Sequence, residues 1–372
     1  MAYTTIDDPS AYFQIATWTG DGSSPRTITN DGNSNLQPDW VWHKARDMSG
    51  RSHYLHDSSR GFGSQKELTT NNNHVEDSDS HLTENHGFIA SASTDSFVLG
   101  AGATNDNYTN NNSSTYVAWQ WKANGGTTTS NGASGDIKAS VTQREDTAKF
   151  AMCTYTGTGI NAGQSHRVNH GLGTTPHLML FKNRGAGSTD WVVYHHKNTD
   201  APETDYLVLN EGNATADSAN KFNDTAPNTS YATIGGDDNI SSNTMVLYSF
   251  AEVQGYSKFG RYMGNGNADG PFVYTGFKPS FLIIKNTSDG NDQWIMWDNK
   301  RSTFNPVDDY LEPSTNATES ANSNWAIIDF VSNGFKLRSS DISYNQSTYS
   351  YIYMAFAEHP FVSSEGVPVT AR

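Results

Sequence analysis

The sequence predicts an all-β fold, built from three tandem β-sandwich repeats of the jelly-roll or lectin-like kind. One order of motifs occurs three times along the 372 residues. The segments of each copy are short, aromatic or β-branched, and bounded by Gly, Asn, Asp or Pro, as strands and turns are. No stretch of ten or more residues shows a clean helical period.

Each copy opens with an aromatic strand that ends in a Gly-x-Gly turn. A phosphate-binding loop of this composition would have to open a helix, and no helical pattern follows. We therefore interpret the glycine pairs as strand-end turns. The three openings are YFQIATWTGDG (12–22), KFAMCTYTGTG (149–159) and KFGRYMGNG (258–266).

A proline, an apolar run and a lysine come next in each copy, always with the same spacing. Runs such as FLIIK are apolar on both faces, which is typical of a central strand covered by a second sheet. The three segments are PDWVWHK (38–44), PHLMLFK (176–182) and PSFLIIK (279–285).

Two further strands complete each copy. After a polar turn come SHYLHDSSR (52–60), WVVYHHKN (191–198) and WIMWDNKR (294–301). The closing strands are YVAWQWKANGG (116–126), MVLYSFAEVQG (245–255) and YIYMAFAEHPF (351–361), in which Trp121, Phe250 and Phe356 match.

These motifs divide the chain into three repeats, and the first two are separated by a linker. We assign residues 1–122 to the first repeat, 147–254 to the second, and 255–372 to the third with a C-terminal tail. Residues 123–146 are rich in Gly, Ser and Thr, so we expect a flexible linker that contains one short strand, IKASV. The first repeat is then hinged to a more rigid second-and-third pair.

Composition excludes several classes of function. The net charge is −15, from 24 basic and 39 acidic residues, and no basic cluster is present to neutralise phosphates, so we expect no nucleic-acid partner. No run of 18 apolar residues occurs, so we expect no membrane insertion. The single cysteine, Cys153, provides neither a disulfide nor a cysteine metal site.

We assign no catalytic, metal or cofactor residues. A glycosidase needs only two carboxylates at roughly 5–9 Å, which no local spacing reveals, so that alternative stays open. His195 and His196 are adjacent, so on a strand they point to opposite faces. The other two copies have Asp57 and Asp298 at the position of His195. Carboxylates at the end of the closing strands suggest structural ion pairs or hydrogen bonds. We therefore expect a protein that is not an enzyme.

Aromatic residues at strand ends are the best candidates for binding. Exposed rings can stack on sugar faces, with polar neighbours to bond the hydroxyl groups. Alternatively, the same rings fill the sandwich cores. The predicted glycan-binding residues are Trp191, Tyr194, Trp294 and Trp297.

Several long phrases of the chain carry a resemblance to a known family. They are YTTIDDPSAYF, QPDWVWHKARD, YTGTG with GLGTTPHLMLFKNRG, and YMAFAEHPFVSSEGVPVTAR. Together they resemble a module of virion proteins from marine and cyanobacterial phages, which are usually called tail fibres or structural proteins. The resemblance covers nearly the whole chain in repeating form and implies no active-site residues.

The resemblance and the repeats together predict a non-enzymatic phage virion protein, a tail fibre or receptor-binding component that contacts host-surface glycan or another receptor. The alternatives are a capsid decoration (knob) protein and a tailspike-like glycan depolymerase. Its other partners are virion proteins, and we expect a homo-oligomer, most simply a trimer. Because one small core does not need Trp40, Trp42 and Trp119, the subunit contact is expected within residues 1–122.

Overall fold

A computed structural model describes residues 2–77, 83–134, 137–159, 166–185, 189–236 and 238–369. The last three residues of the expected C-terminal tail lie outside these ranges. Helical structure within them is limited to a 3₁₀ turn, Pro9–Ala11, and the four-residue helices α1 (Thr83–His86), α2 (Ala219–Phe222) and α3 (Ile342–Asn345). None of these is long and apolar enough to cross a membrane. The remaining regular structure is β, so the predicted all-β sandwich fold is confirmed.

Within the described ranges, the strands form six sheets, two in each third of the chain. We name the three parts modules and define each by its strands. The first module contains β1 (Phe13–Thr19), β2 (Arg26–Thr29), β3 (Trp40–Ala45), β4 (Tyr54–Asp57), β5 (Leu68–Thr69), β6 (Phe88–Ser93), β7 (Ser96–Gly100) and β8 (Thr115–Trp121).

The second module begins inside the expected linker. It contains β9 (Thr129–Asn131), β10 (Ile137–Lys138), β11 (Ser140–Glu145), β12 (Phe150–Thr156), β13 (His166–Asn169), β14 (Leu178–Asn183), β15 (Val192–His195), β16 (Asp205–Val208), β17 (Ala216–Asp217), β18 (Tyr231–Ile234) and β19 (Thr244–Phe250).

The third module completes the fold. It contains β20 (Ser257–Met263), β21 (Phe272–Tyr274), β22 (Phe277–Asn286), β23 (Ile295–Asp298), β24 (Ile328–Val331), β25 (Gly334–Leu337) and β26 (Ser350–Pro360).

Each module has a large sheet in which four strands follow one shared order. The orders are β1-β8-β3-β4, β12-β19-β14-β15 and β20-β26-β22-β23. In each, the closing strand lies between the opening strand and the proline-to-lysine strand. The sequence repeat stays a prediction, and this shared order is consistent with it.

A small sheet packs against one face of each large sheet and encloses a separate core. The small sheets are β2-β7-β6, β10-β13-β18 and β21-β25-β24. In the third module, for example, the ring of Phe335 on β25 lies 5.3 Å from that of Tyr353 on β26. Because side chains alternate between the faces of a strand, one face of each large sheet is used in this way.

The opposite faces of the three large sheets meet in one shared core. At its centre lie the matching residues of the closing strands, Trp121, Phe250 and Phe356. Their ring centroids are 6.3 Å (Trp121 to Phe250), 5.4 Å (Trp121 to Phe356) and 6.0 Å (Phe250 to Phe356) apart. The large sheets are therefore buried on both faces, which explains their continuous apolar runs.

The expected subunit contact of the first repeat is instead part of this shared core. The ring of Trp40 lies 4.9 Å from Tyr248 of the second module, and that of Trp119 lies 5.9 Å from Phe281 of the third. Trp42 is also buried there. The prediction that these tryptophans contact another subunit is wrong, because they fill contacts within one chain. The homo-trimer itself stays a prediction.

Residues 123–146 do not behave as a free linker. Strand β11 pairs along β12 from Ser140 to Glu145, and β9 pairs with β11 on its other side. Strand β10, within the expected IKASV strand, runs parallel to β13 in the small sheet. A Gly/Ser/Thr-rich composition permits such edge strands, so the segment belongs to the second module and the predicted hinge is wrong.

The Gly-x-Gly turns have the same physical basis in all three modules. A Cβ atom on the first glycine would lie 2.0 Å from a backbone oxygen in Gly20 and Gly157, and 2.2 Å from one in Gly264. The second glycine has a positive φ, +69° in Gly22 for example, which favours glycine. The interpretation as strand-end turns is therefore supported by their geometry.

Candidate functional site

The four rings predicted to bind glycan are all buried. Trp191 and Trp297 are 0% exposed, Tyr194 4% and Trp294 6%. They cannot stack on a sugar at the surface, so this prediction is corrected, and the alternative that these rings fill the cores describes them.

The two tryptophans Trp191 and Trp294 also join modules through their indole nitrogens. Trp191 Nε1 donates to Thr69 O of the first module at 2.7 Å, and Trp294 Nε1 donates to Val208 O of the second at 2.9 Å. Tyr194 and Trp297 instead lie in the sandwich cores of their own modules. Sequence alternation placed the rings on a face, but it could not show that another module covers that face.

Carboxylates at the end of the closing strands form ion pairs. Glu252 bonds Lys258 at 2.7 Å, and Glu358 pairs with Lys278 at 2.5 Å. The described residues contain no group of three or more His, Cys, Asp or Glu side chains that could hold a metal ion. The ion pairs agree with the expected structural role of these carboxylates.

Exposed large apolar side chains are concentrated in one part of the molecule. Within the residues that the structure describes, all of them lie between residues 263 and 369. They are Met263, Phe272, Tyr274, Phe304, Ile342, Val367 and Val369. Contiguous exposed apolar surface often marks a contact site, so the third module is the candidate location for such a site.

Phe272 and Tyr274 form the densest part of this surface. They lie two residues apart on β21, so both point to the outer face of the small sheet, while Val273 between them points into the core. Phe272 is 48% exposed and Tyr274 is 53% exposed. We call the outer surface of β21, β25 and β24 the aromatic face.

Two rows of side chains cross the aromatic face. Tyr274 pairs with Gly334, which pairs with Val331; Phe272 pairs with Lys336, which pairs with Asp329. A Cβ on Gly334 would lie 3.0 Å from Phe272 Cε2 and 2.0 Å from Val273 O. The glycine therefore allows the phenyl ring to lie against the backbone of β25.

Charged groups border the rings in balanced pairs. Lys336 Nζ lies 2.7 Å from Asp269, and Arg338 Nη2 lies 2.5 Å from Asp329. The hydrogen bond from Lys336 and its charge hold the pKa of Asp269 below its usual value. The aromatic face thus combines exposed rings with both donors and acceptors, and its ion pairs leave little net charge beside the rings.

The N-terminal segment reaches the edge of this face. Tyr3 Oη lies 3.0 Å from Tyr274 Oη and donates to Gly276 O at 2.9 Å. Burial, together with Tyr274, raises the pKa of Tyr3 to about 12. The Tyr3 phenol therefore stays neutral at physiological pH, and its contact with Tyr274 Oη fixes the position of the Tyr274 ring.

At the matching strand positions, the other two modules have polar residues in place of the two exposed rings. Ile28, Val168 and Val273 are the matching buried residues, because each pairs with the matching residue of the next strand, Phe97, Ala232 and Phe335. The residues flanking them are Thr27 and Thr29 in the first module, Arg167 and Asn169 in the second, and Phe272 and Tyr274 in the third. The two exposed rings are therefore not required by the fold.

Sequence reasoning missed these rings, although a signal was present. The segment FVYTG alternates an apolar core residue with two aromatic residues. Comparison with ITN of the first copy and VNH of the second would have shown polar residues at the flanking positions of a matching strand. The segment between the Gly-x-Gly turn and the proline differs in length between the copies, and this difference hides the correspondence.

A groove between the first and third modules is a second candidate for a binding site. It encloses about 340 Å³ and is lined by apolar residues such as Ile15 and by charged residues. Its lysines are already engaged, Lys300 with Asp31 at 2.8 Å and Lys278 with Glu358 at 2.5 Å. Neither of the exposed rings of the aromatic face lines this groove.

One protein-family model matches residues 8–360, and it is described as a domain of unknown function, DUF7483. The chain belongs to the DUF7483 family. No curated protein and no solved structure matches it. The range that matches DUF7483 includes all three modules, so the unit that defines this family is the whole assembly around the shared core rather than one sandwich.

Proposed function

We propose that the chain is a non-enzymatic attachment protein on the surface of a bacteriophage particle, and that the aromatic face of its third module contacts glycan on the host surface. The observation that carries this proposal is the pair of exposed rings, Phe272 and Tyr274, at positions where the other modules have polar residues. The repeated β modules and the resemblance to phage virion proteins support the setting.

The chemistry of the aromatic face suits an uncharged or weakly charged sugar. Flat rings with half their surface exposed can stack on the apolar face of a pyranose, and desolvation of both surfaces favours the contact. Lys336, Asp269 and Asp329 lie where they can bond hydroxyl groups. Because these charges are paired, we expect little dependence of binding on salt.

Binding of the purified full-length chain to host cells and to host lipopolysaccharide tests the proposal. The double variant Phe272→Ser/Tyr274→Ser should bind about tenfold or more weakly, because each ring contributes roughly 0.5–1.5 kcal/mol beyond area burial. The matched control is Thr27→Ala/Thr29→Ala, at the same strand positions of the first module, and it should bind like the unchanged chain.

Four outcomes would contradict parts of the proposal. Equal binding by the serine variant would show that the aromatic face is not the contact. No binding by the unchanged chain, with antibodies unable to block adsorption, would remove the attachment role, and immunogold label on the head would favour a capsid decoration protein. Release of new reducing ends from host polysaccharide would show that the chain is an enzyme.

A further inference from the structure

The three modules contact one another in the same way around the shared core. We call the contacts seam 1–2, seam 2–3 and seam 3–1, after the modules that they join. In each, a backbone N–H donates to a carbonyl just after the proline-to-lysine strand of the other module. The pairs are Glu76 N to Arg184 O (3.2 Å), Thr215 N to Thr287 O (3.1 Å) and Glu319 N to Arg46 O (2.7 Å).

A buried ionic network closes seam 1–2. Arg60 pairs with Asp57 and, through Nη1 at 2.6 Å, with Glu76. Arg184 of the second module binds the other oxygen of Glu76 at 2.5 Å, and Tyr248 Oη donates to Asp57 at 2.6 Å. The guanidinium of Arg60 is fully buried.

Seam 3–1 repeats this network with matching residues. Arg301 pairs with Asp298 at 2.5 Å and with Glu319 at 3.0 Å. Arg46 of the first module binds Glu319 at 2.6 Å, and Trp119 Nε1 donates to Asp298 at 3.0 Å. Two of the three seams are thus held by an Asp–Arg–Glu–Arg network.

Seam 2–3 has neutral residues at every one of these positions. His195 replaces the aspartate, Asn198 the first arginine, Thr215 the glutamate and Thr287 the second arginine. Thr215 Oγ1 donates to Asn198 Oδ1 at 2.6 Å, and His195 Nε2 lies 3.2 Å from Tyr353 O of the third module. This seam therefore lacks the ionic network of the other two.

Two histidines of seam 2–3 use Nδ1 as a hydrogen-bond acceptor. His195 Nδ1 accepts from Lys197 N–H at 3.1 Å, and His177 Nδ1 accepts from Glu252 N–H at 2.9 Å. The neutral imidazole of His195 can then donate from Nε2 to Tyr353 O. A proton on Nδ1 would face another N–H and remove the bond, so these contacts require neutral rings.

The charged and titratable groups around these rings are few. His196 lies beside His177, with ring centroids 4.3 Å apart, and its Nε2 is 2.7 Å from Phe259 O. Lys197 follows on the same segment. Glu252, just after β19 of the second module, and Lys258, on β20 of the third, lie beside the rings and bond each other at 2.7 Å.

Burial is the main influence on both histidines. It lowers the pKa of His195 to about 3 and that of His177 to about 4, and the neighbouring His196 lowers both further. Burial alone would raise the pKa of Glu252, but hydrogen bonds from His196 and Lys258 outweigh it and lower that pKa to about 2.

We propose that seam 2–3 is an acid-sensitive seam, which opens before seam 1–2 when the pH falls, because His177 and His195 can take up protons only when it opens. Opening would loosen the third module, which carries the aromatic face, from the second. This inference does not depend on what that face binds.

Linkage gives the direction and the size of the effect. The histidine pKa is lower in the closed seam than in the open one, where it returns to about 6.5, so the open state binds more protons. The closed seam is therefore fully stable above about pH 6.5 and loses stability as the pH falls towards about 4. Within this window, each unit by which the pH falls lets one histidine raise the population of the open seam about tenfold. The two histidines together raise it about a hundredfold.

Amide hydrogen exchange of the full-length chain between pH 7 and pH 4.5, corrected for intrinsic rates, tests the proposal. The three matching seam amides, of Thr215, Glu76 and Glu319, are the reporters. We expect the protection of Thr215 to fall about a hundredfold per pH unit below about 6, while that of Glu76 falls much less. Glu319 reports on seam 3–1, where the buried His53 stacks on Trp119 with ring centroids 6.3 Å apart and where burial also lowers the histidine pKa, so we expect some loss there as well. Equal loss at Thr215 and Glu76, or retention at Thr215, would overturn the proposal.

Replacement of both histidines by asparagine separates the effect of their protonation from the effect of their packing. The variant His177→Asn/His195→Asn keeps an acceptor oxygen near the Nδ1 positions but cannot be protonated, so Thr215 should lose its acid response. If this variant does not fold, His177→Asn alone, at the half-buried ring, should reduce the response to about tenfold per pH unit. An unchanged response in either variant that folds would overturn the proposal.

His170→Asn is the matched control. His170 is also buried and accepts from Leu172 N–H through Nδ1 at 3.1 Å, and burial also lowers its pKa, but its other nitrogen bonds Asn228 O within the second module. The Thr215 amide of this variant should respond to acid like that of the unchanged chain. Loss of the response would show that the second module, rather than the seam, is acid-sensitive.

Discussion

Arg60 and Arg301 are buried guanidinium groups, each with two carboxylates as partners. Each occurs three residues after an aspartate that ends a strand of a large sheet. Burial disfavours the charge of each arginine, but the adjacent carboxylates outweigh this and raise its pKa. Both arginines therefore stay charged, and their removal leaves buried carboxylates unpaired.

Arg60→Met should lower the free energy of unfolding by about 3–5 kcal/mol, because Asp57 and Glu76 would lose their partner in a buried site. Arg301→Met should have a similar effect at seam 3–1. Arg261→Ala, which removes an exposed pair with Asp200, is the control and should cost less than about 1 kcal/mol. Urea unfolding followed by tryptophan fluorescence measures all three, and equal effects would contradict the assignment.

Some individual residues could be predicted from the sequence and others could not. The glycines of the Gly-x-Gly turns were predictable, because their requirement is local. The exposure of Trp191 and Trp294 was not, because Thr69 and Val208 of other modules cover them. Alternation along a strand shows which side chains share a face, but a contact far away in sequence decides whether that face meets water.

The proline-to-lysine strands β3, β14 and β22 each carry a buried lysine in the same position. Lys182 Nζ donates to Asn73 O at 3.2 Å and Lys285 Nζ to Gly212 O at 3.1 Å, in both cases in the preceding module. Lys44 Nζ donates to Ala45 O at 2.6 Å. Burial lowers the pKa of Lys44 to about 7 and that of the other two to about 8.

These lysines predict that stability rises with pH in the alkaline direction. Their pKa is lower in the folded chain than in the unfolded chain, where it is about 10.4, so the unfolded chain binds more protons above about pH 7 to 8. The free energy of unfolding should therefore increase from pH 7 to pH 9, as measured by urea unfolding at several pH values. A flat or falling profile over this range would contradict the prediction.

Lys182→Met tests which group causes this slope. The variant removes one of the three titrating amines, so the dependence of the unfolding free energy on pH should become shallower. Lys300→Met, which removes a partly exposed pair with Asp31, should leave the slope unchanged. Equal slopes in all three proteins would show that other groups determine the alkaline behaviour.

At the level of strands, the sequence predicted the repeated motifs better than the segments between them. Strands rich in aromatic and β-branched residues formed where expected. The linker prediction failed because the composition of residues 123–146 describes an edge strand as well as a coil, and pairing with β12 decided between them. The aromatic face was missed because β21 has only three residues.

The shared core predicts that the whole molecule unfolds as one cooperative unit. Separation of any module would expose the contacts between Trp121, Phe250 and Phe356 to water. At neutral pH, where the histidines of seam 2–3 are uncharged, scanning calorimetry should show a single transition with similar calorimetric and van't Hoff enthalpies, although chains of this length often unfold in steps. Three separate transitions would show that the modules are independent.

Phe356→Ala probes this cooperativity from one position. The substitution should lower the free energy of unfolding by about 3–5 kcal/mol, because it leaves a cavity in a closely packed aromatic core. The loss should appear as a shift of the single transition and not as early melting of the third module alone. Met263→Ala, at an exposed residue of the same module, is the control and should change little.

A ring of three modules inside one chain has a consequence for avidity. A homotrimer of identical modules would present three copies of any surface feature, whereas the described part of this chain presents one face with the exposed pair Phe272 and Tyr274. Weak single contacts become strong attachment only when several are tethered at a high effective concentration. Multivalent binding would therefore have to come from several copies of the chain held on one scaffold, and its strength would be set by their spacing.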